Sequence, residues 1–198
     1  MATSSRAPAG RAGRLWLTHR IDVAERAADQ LERKIHVLSL EIARQQEVAD
    51  AARLAWSDAC ANAHRWALRA ALIAGQASVR NNAAPPVDVT LSWANTIGVR
   101  HPVSATVGLP NPPDEAVATA ALAPAREAFA AALQAGVTLA ISDATCNALD
   151  DARTQTRRRA RLLRRRWLPV LEADLHTLEL ALEQGEQEDH ARLRRLAT

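Results

Sequence analysis

Apolar residues recur along the first third of the chain at steps that alternate between four and three. The series runs Leu17, Ile21, Ala24, Ala28, Leu31, Ile35, Leu38, Ile42, Gln45, Ala49, Ala52, Trp56, Ala59, Ala63, Trp66, Ala70, Ile73 and Ala77. Gln45 is its one polar member. A sustained average step of 3.5 residues is the signature of a left-handed coiled-coil seam. Charged residues such as Arg20, Asp22, Glu25, Arg26, Asp29, Glu32 and Arg33 fill the positions between. Alanine at many seam positions lets a partner helix approach closely. At 1.5 Å per residue, about 65 helical residues would span roughly 100 Å.

The pattern weakens near Asn81-Asn82, and Pro85-Pro86 predicts its end, because proline lacks a donor and restricts the residue before it. Val87 to Leu91 and Val103 to Val107 alternate with β-branched residues, and Asn95 to Val99 carries turn chemistry around Gly98. A small β-hairpin or loop is expected there. Leu109-Pro110-Asn111-Pro112-Pro113 is a second breaker. A second long helix is then predicted, starting near Asp114 or near Pro124, which suits a first helical turn. Its seam runs through Ala128, Ala132, Ala135, Leu139, Ser142, Cys146, Leu149, Arg153, Thr156, Ala160 and Leu163. It resumes in a shifted register at Leu168, Leu171, Leu175, Leu178 and Leu182. Pro169 lies at the shift, where a kink or local unwinding is expected.

The expected fold is therefore all-α: a long antiparallel two-helix coiled-coil hairpin with a small β segment between the helices. Its parts are a disordered tail over 1–12, helix 1 over 13–82, a connector over 83–113, and helix 2 over 114–198 with a kink near Pro169. If residue 14 lay level with about 195, position 60 would be level with ~149, which would bring the thiols of Cys60 and Cys146 near one another; the plainer reading is two small buried hydrophobes in a reducing cytoplasm.

Composition agrees with long helices. Of 198 residues, 48% are apolar, yet only 3% are aromatic and seven are Gly. No run of 18 apolar residues occurs, so no membrane span is expected. The first residues lack the apolar stretch of a secretory signal, and the two cysteines do not make a disulfide framework, so the cytoplasm is the expected compartment. The six His form no ligand pair, and no phosphate-cradling Gly loop or nucleophile elbow is present. No catalytic residue, metal site or cofactor site is expected.

The net charge of +3 is unevenly placed. Between 151 and 166, eight Arg stand against Asp151, a local +7 that leaves −4 on the remainder. Such a block reads as a solvated helix face, as a contact for acidic protein loops, or as a phosphate-backbone site. Arg157, Arg158 and Arg159 are consecutive and cannot share one face. Trp56 and Trp66 fall on the helix 1 seam and are expected in the core. Trp167 is expected to fill space beside Pro169, and Trp93 in the connector is a candidate docking residue. Gln45 is a candidate buried polar residue that fixes register.

Three stretches together resemble one family. Thr156-Arg157-Arg158-Arg159, Leu163 and Leu168-Pro169-Val170-Leu171-Glu172 are similar to T-x-R-R-V-N-A-L-E…I-P-x-L-E. Leu182-Glu183, Glu186 to Asp189 and Arg192 to Arg195 resemble its L-x-E-x-E-R-E-E-x-x-R-L-K-K ending. Asn95 to Pro102 resembles N-V-M-G-V-K-V-P, and Gly13-Arg14, Leu17, Ala24-Glu25-Arg26, Asp29, Leu31 and Lys34 resemble G-R-x-x-L-x-x-L…A-E-R-G-x-D-L-L-x-x-K. The family is the D subunit of the V-type and A/V-type rotary ATPases, the central-stalk rotor. Arg161 replaces the family's Asn, Arg164 replaces its Glu, and Gly185 interrupts the acidic ending.

The resemblance implies a non-catalytic shaft that carries torque between a hexamer of A and B subunits and the membrane rotor ring, coupling ATP hydrolysis or synthesis to proton or sodium transport. It implies as partners a small central-stalk F subunit, the A and B subunits, and a socket subunit of C or d type, in a complex peripheral to the membrane. Arg157, Arg158, Arg159, Arg161, Arg164 and Arg165 become candidate hexamer contacts. Trp93, Asn95, Ile97, Gly98 and Val99 become candidate contacts for a partner subunit. The alternative is a free-standing coiled-coil nucleic-acid binder that uses the block from Arg153 to Arg166.

Overall fold

In the computed structural model, residues 8–81, 87–108 and 122–196 are described. Helix α1 spans Gly10–Ala74 (65 residues), and a short α2 spans Gln76–Asn81. Strands β1 (Asp88–Thr96) and β2 (Val99–Gly108) form a two-stranded antiparallel sheet. Helix α3 spans Leu122–Leu162, a π-helical turn spans Leu163–Trp167, and α4 spans Leu168–Leu196. The fold is all-α, a helical hairpin with a small sheet between its long helices.

Helix α1 begins inside the segment expected to be a tail, at Gly10. It also stops earlier than Asn81-Asn82. Gly75 has φ +80°, a conformation L side chains rarely adopt, and there the chain breaks before α2. Both proline breakers and the candidate start at Asp114 lie outside the described residues. Helix α3 is described from Leu122 and holds Pro124 in its first turn, where a missing N–H costs nothing.

The chain divides into two compact units. In the first (Met1–His36 with Arg153–Thr198), the start of α1 runs antiparallel to the end of the second helical arm. Arg11 pairs with Glu186 at 3.0 Å, and Arg14 reaches Glu179 at 3.7 Å. The seam residues Leu17, Ala28, Thr156, Ala160, Leu168 and Leu171 are buried.

In the second unit (Val37–Ala152), α1 again runs antiparallel to α3. Leu38 and Ile42 pack with Leu149, Ala63 with Ala128 and Ala132, and Ala70 with Leu122 and Ala125. Every α1 seam position from Leu17 to Ala52 is buried or half-buried. Trp66 packs into this core. Trp56, expected there, is 41% exposed, and its indole lies over Gly136, 3.0 Å from where a Cβ would stand. Gln45 donates to Glu41 on its own helix at 2.8 Å and, among the described residues, makes no cross-helix bond that would fix register.

Arg53 bonds Asp143 at 3.2 Å, so Cys146 sits near level 50–53 of α1 while Cys60 packs beside Ala128 and Ala132. The two thiols are not neighbours, because a pairing that sets residue 14 level with 195 lies too far toward the C-terminus. Both cysteines are free.

One window in the helical stretch Leu122–Leu196 has mean hydropathy 1.3, long and apolar enough by length and composition to cross a bilayer. A packed helix of a folded core passes the same test of length and composition. From Ala128 to Ala144, Asp143 is the sole charge. Ala128 and Ala132 in that stretch pack on α1.

Candidate interaction surfaces

Two surfaces collect the candidate residues. The first lies on the arginine-rich end of α3 and the π turn. Arg157, Arg158, Arg159, Arg161, Arg164, Arg165 and Arg166 are all exposed, and Arg153 is half-buried. The π turn sits where the seam steps five residues, from Leu163 to Leu168, in place of three or four. A π turn inserts one residue into the helical path, which is what that step requires. The expected unwinding thus falls just before Pro169. Trp167, expected to fill space there, is 49% exposed.

Arg164 is anchored within the first unit. Its Nε donates to Glu32 Oε1 at 2.7 Å, while Nη2 lies 2.9 Å from Glu32 Oε2 and 2.8 Å from Asp29 Oδ1. This is a bidentate guanidinium–carboxylate pair with a third contact. Arg157, Arg161, Arg164 and Arg165 line a shallow groove of about 240 Å³ with Glu32, Ile35 and Ala160. The spacing 157, 161, 164 and 165 puts these four on one helical face, as i, i+4 and i+7 neighbours are. Arg158 and Arg159 do not line it. The sequence named the arginines but missed Asp29 and Glu32, and the helix register that brings them opposite Arg164 was the signal available.

The second surface is the β-hairpin. Thr96 pairs with Val99, leaving Ile97-Gly98 as a two-residue turn. Ile97 has φ +52° and Gly98 φ +77°, the positive pair of a type I′ turn. The register slips between Ser92 and Trp93: Ser92 pairs with Ser104 and Trp93 with Pro102, which leaves Val103 bulged. Pro102 has no N–H to give a ladder, and a bulge accommodates it.

One face of the hairpin is turned to the helices of its unit. His101 and Pro102 are buried, and Val99 packs on Leu38, Ile42 and Leu149. Thr145 on α3 donates its hydroxyl to the Pro102 carbonyl at 2.6 Å. His101 Nε2 lies 2.9 Å from Thr96 Oγ1, and Nδ1 lies 3.2 Å from the Pro102 carbonyl. The Nδ1–H tautomer satisfies both, with the Thr96 hydroxyl donating to Nε2.

The opposite face carries Val89, Leu91 and Trp93 at alternate positions, each 43–49% exposed. Arg100 lies over the Trp93 ring with Cζ 4.7 Å from its centroid. Of the five candidates, Trp93 and Asn95 are exposed beside this stripe and Ile97 and Gly98 form the tip, whereas Val99 points inward. The stripe of Val89 and Leu91 was missed, although the alternation of the strand marks it.

Among the described residues, no group of three or more His, Cys, Asp or Glu could hold a metal ion. Burial pushes the Cys146 thiol above its ordinary value; Asp143 and Asp50 push the same way, and Arg53 opposes them. Ile73, expected on the seam, is exposed, and its neighbour Ala74 packs against Ala70, Leu122 and Ala125 instead. Further large apolar residues stand exposed on α1, including Leu54, Leu68 and Leu72. A long helix that buries one narrow seam leaves them without partners in a single chain.

A family model for the D subunit of ATP synthase matches residues 15–198. The chain belongs to the ATP synthase D-subunit family. Family membership makes it a stalk subunit of a rotary ATP synthase complex and places it in a membrane-associated assembly. A comparison with curated proteins finds no match. The matched span includes α1 from its second turn, the hairpin, the π turn and α4, so both surfaces belong to the family region.

Proposed function

We propose that this D subunit is the central rotor shaft of a V/A-type ATPase. It carries torque between an A/B hexamer and the membrane rotor ring, and ATP hydrolysis or synthesis is thereby coupled to proton or sodium transport. The observation that carries the reading is the antiparallel helix pair found in each unit. A paired helix resists bending and twisting far better than a single one, and its exposed apolar residues are those a surrounding assembly would cover. The role needs no catalytic group on this chain, and the subunit acts without a cofactor.

In this proposal the tail, helix 1, connector and helix 2 serve as shaft parts in the order set by the sequence. The exposed Arg157, Arg158, Arg159, Arg161 and Arg165 meet acidic loops of the hexamer, with Arg164 drawing on the same chemistry. Trp93, Asn95, Ile97, Gly98 and Val99 belong to the docking region for a partner such as the small F subunit, with Val99 acting from the inner face. The socket subunit takes the opposite end from the hexamer. The complex stands on the cytoplasmic side, peripheral to the membrane.

Affinity purification of the tagged chain from its native cell, with mass spectrometry of what accompanies it, tests the reading. Recovery of two large nucleotide-binding subunits and a small partner in fixed ratio is expected. Recovery of the chain alone, or with salt-sensitive nucleic acid, would replace it with the reading of a basic coiled-coil nucleic-acid binder.

A further inference from the structure

The groove beside Arg164 takes the arginine contact of the shaft reading one step further. It is strongly basic, and one of its arginines is already held by carboxylates of the same chain. Arg164 is 48% exposed, and Asp29 and Glu32 are 55% and 51% exposed. Water screens even a bidentate pair this open, and another carboxylate of the same geometry can replace its acceptors at modest cost. Arg157, Arg161 and Arg165 have no ion-pair partner among the described residues. The groove therefore has three uncommitted guanidinium groups around one provisional pair.

We infer that this groove is a receptor for an acidic segment of a partner protein, and that Arg164 exchanges from Asp29 and Glu32 to the incoming carboxylates. Asp29 and Glu32 act as placeholders: they hold the Arg164 side chain extended across the groove in the geometry a carboxylate needs. The π turn helps, since consecutive residues in it are separated by a smaller angle than in an α-helix, and Arg164 and Arg165 both line the groove.

The form of the groove selects the ligand class. It offers no buried donor and no backbone amide, because interior helical N–H groups are already bonded. A small anion would rest on exposed side chains alone, each worth little. A peptide that presents several carboxylates at once adds such contacts together. Ile35 and Ala160 in the lining give its methylene groups an apolar surface. Asp29 and Glu32 repel a nucleic-acid backbone as they repel a peptide's carboxylates, but a sugar-phosphate chain brings no run of methylene groups to set against Ile35 and Ala160. Assigning the segment to an encircling subunit rests on the shaft reading; the chemistry of the groove does not.

The test uses the full chain and a fluorescein-labelled Glu–Ala copolymer peptide, read by anisotropy at low and moderate salt. Glu32→Gln removes one placeholder and should tighten peptide binding about two- to five-fold, because Arg164 no longer has to be released. Asp29→Asn should act in the same direction and serves as the second variant. The combined Arg157→Gln, Arg161→Gln and Arg165→Gln variant should weaken binding about ten-fold or more. Circular dichroism checks that each variant stays helical.

Unchanged or weaker binding by both placeholder variants would overturn the exchange. Displacement of the peptide by tripolyphosphate or a single-stranded DNA oligomer at much lower charge concentration would overturn the ligand class. Co-purification separates the two readings: a chain that assembles with its partners yet ignores the peptide loses only the groove, and a chain that recovers no partners loses the shaft.

Discussion

The backbone N–H of Leu168 bonds the carbonyl of Leu163, five residues back. These two leucines are also the seam residues between which the apolar spacing jumps. The π turn therefore lets both seams face the partner helix across a one-residue mismatch, and it lets Pro169 stand in the first turn of α4, where no N–H is missed. Removing Arg166 alone would restore a four-residue step but strand Pro169 in a helix interior, at a cost of about 3 kcal/mol. Adding Pro169→Ala to the deletion should recover most of that loss, while Pro169→Ala alone should change stability little. Thermal melts of the three variants check this; additive effects would show that the turn and the proline are unrelated.

The local unwinding before Pro169 was legible because two signals coincided, a seam slip and a proline. The long helices were legible for a similar reason, since the 4-3 spacing marks the buried positions from Leu17 to Ala52 without a gap. The level at which the helices pair was not. An Ala-rich seam fits many registers nearly equally well, and the contacts that choose one, such as Arg53 with Asp143 and Arg164 with Glu32, lie outside the seam. Trp56 shows the same limit: it occupies a seam position, yet its ring spreads over Gly136, which spacing alone does not reveal.

Thr145 links the hairpin to α3 through one buried bond to the Pro102 carbonyl. Thr145→Val keeps the shape and removes the donor. The buried carbonyl then loses its shortest side-chain donor, which should cost about 1–2 kcal/mol. Amide hydrogen exchange should speed up in β1 and β2 and stay unchanged in α4. Equal protection in both proteins would show that apolar packing at Val99 alone holds the hairpin.

Cys146 should react slowly with iodoacetamide at pH 8, because its raised pKa keeps the thiol protonated there. Labelling should rise only as the pH climbs beyond the ordinary thiol range. The linked stability has the same sign: it is fully present below the unfolded pKa and is lost as pH rises through the folded one. Asp143→Asn removes a raising charge and should speed labelling, whereas Arg53→Gln should slow it. Oxidation should not join Cys60 to Cys146 within one chain, since their levels on the helix pair differ by about 12 residues, or ~18 Å. An intramolecular disulfide in the folded protein, seen as a mobility shift without reductant, would contradict the register.

Ile97 is a β-branched residue at φ +52°, at the exposed tip of the hairpin. Type I′ turns favour Asn-Gly, and the left-handed conformation costs an ordinary residue about 1–2 kcal/mol. Ile97→Asn should therefore stabilise the hairpin by about 1 kcal/mol, seen as slower amide exchange across Thr96 and Val99. If the isoleucine is kept for contact with a partner subunit, the same substitution should lower recovery of that partner in co-purification. A more stable hairpin with weaker partner recovery is the expected pair of results. A more stable hairpin with full recovery would leave Trp93, Leu91 and Val89 as the docking stripe and remove the tip from it.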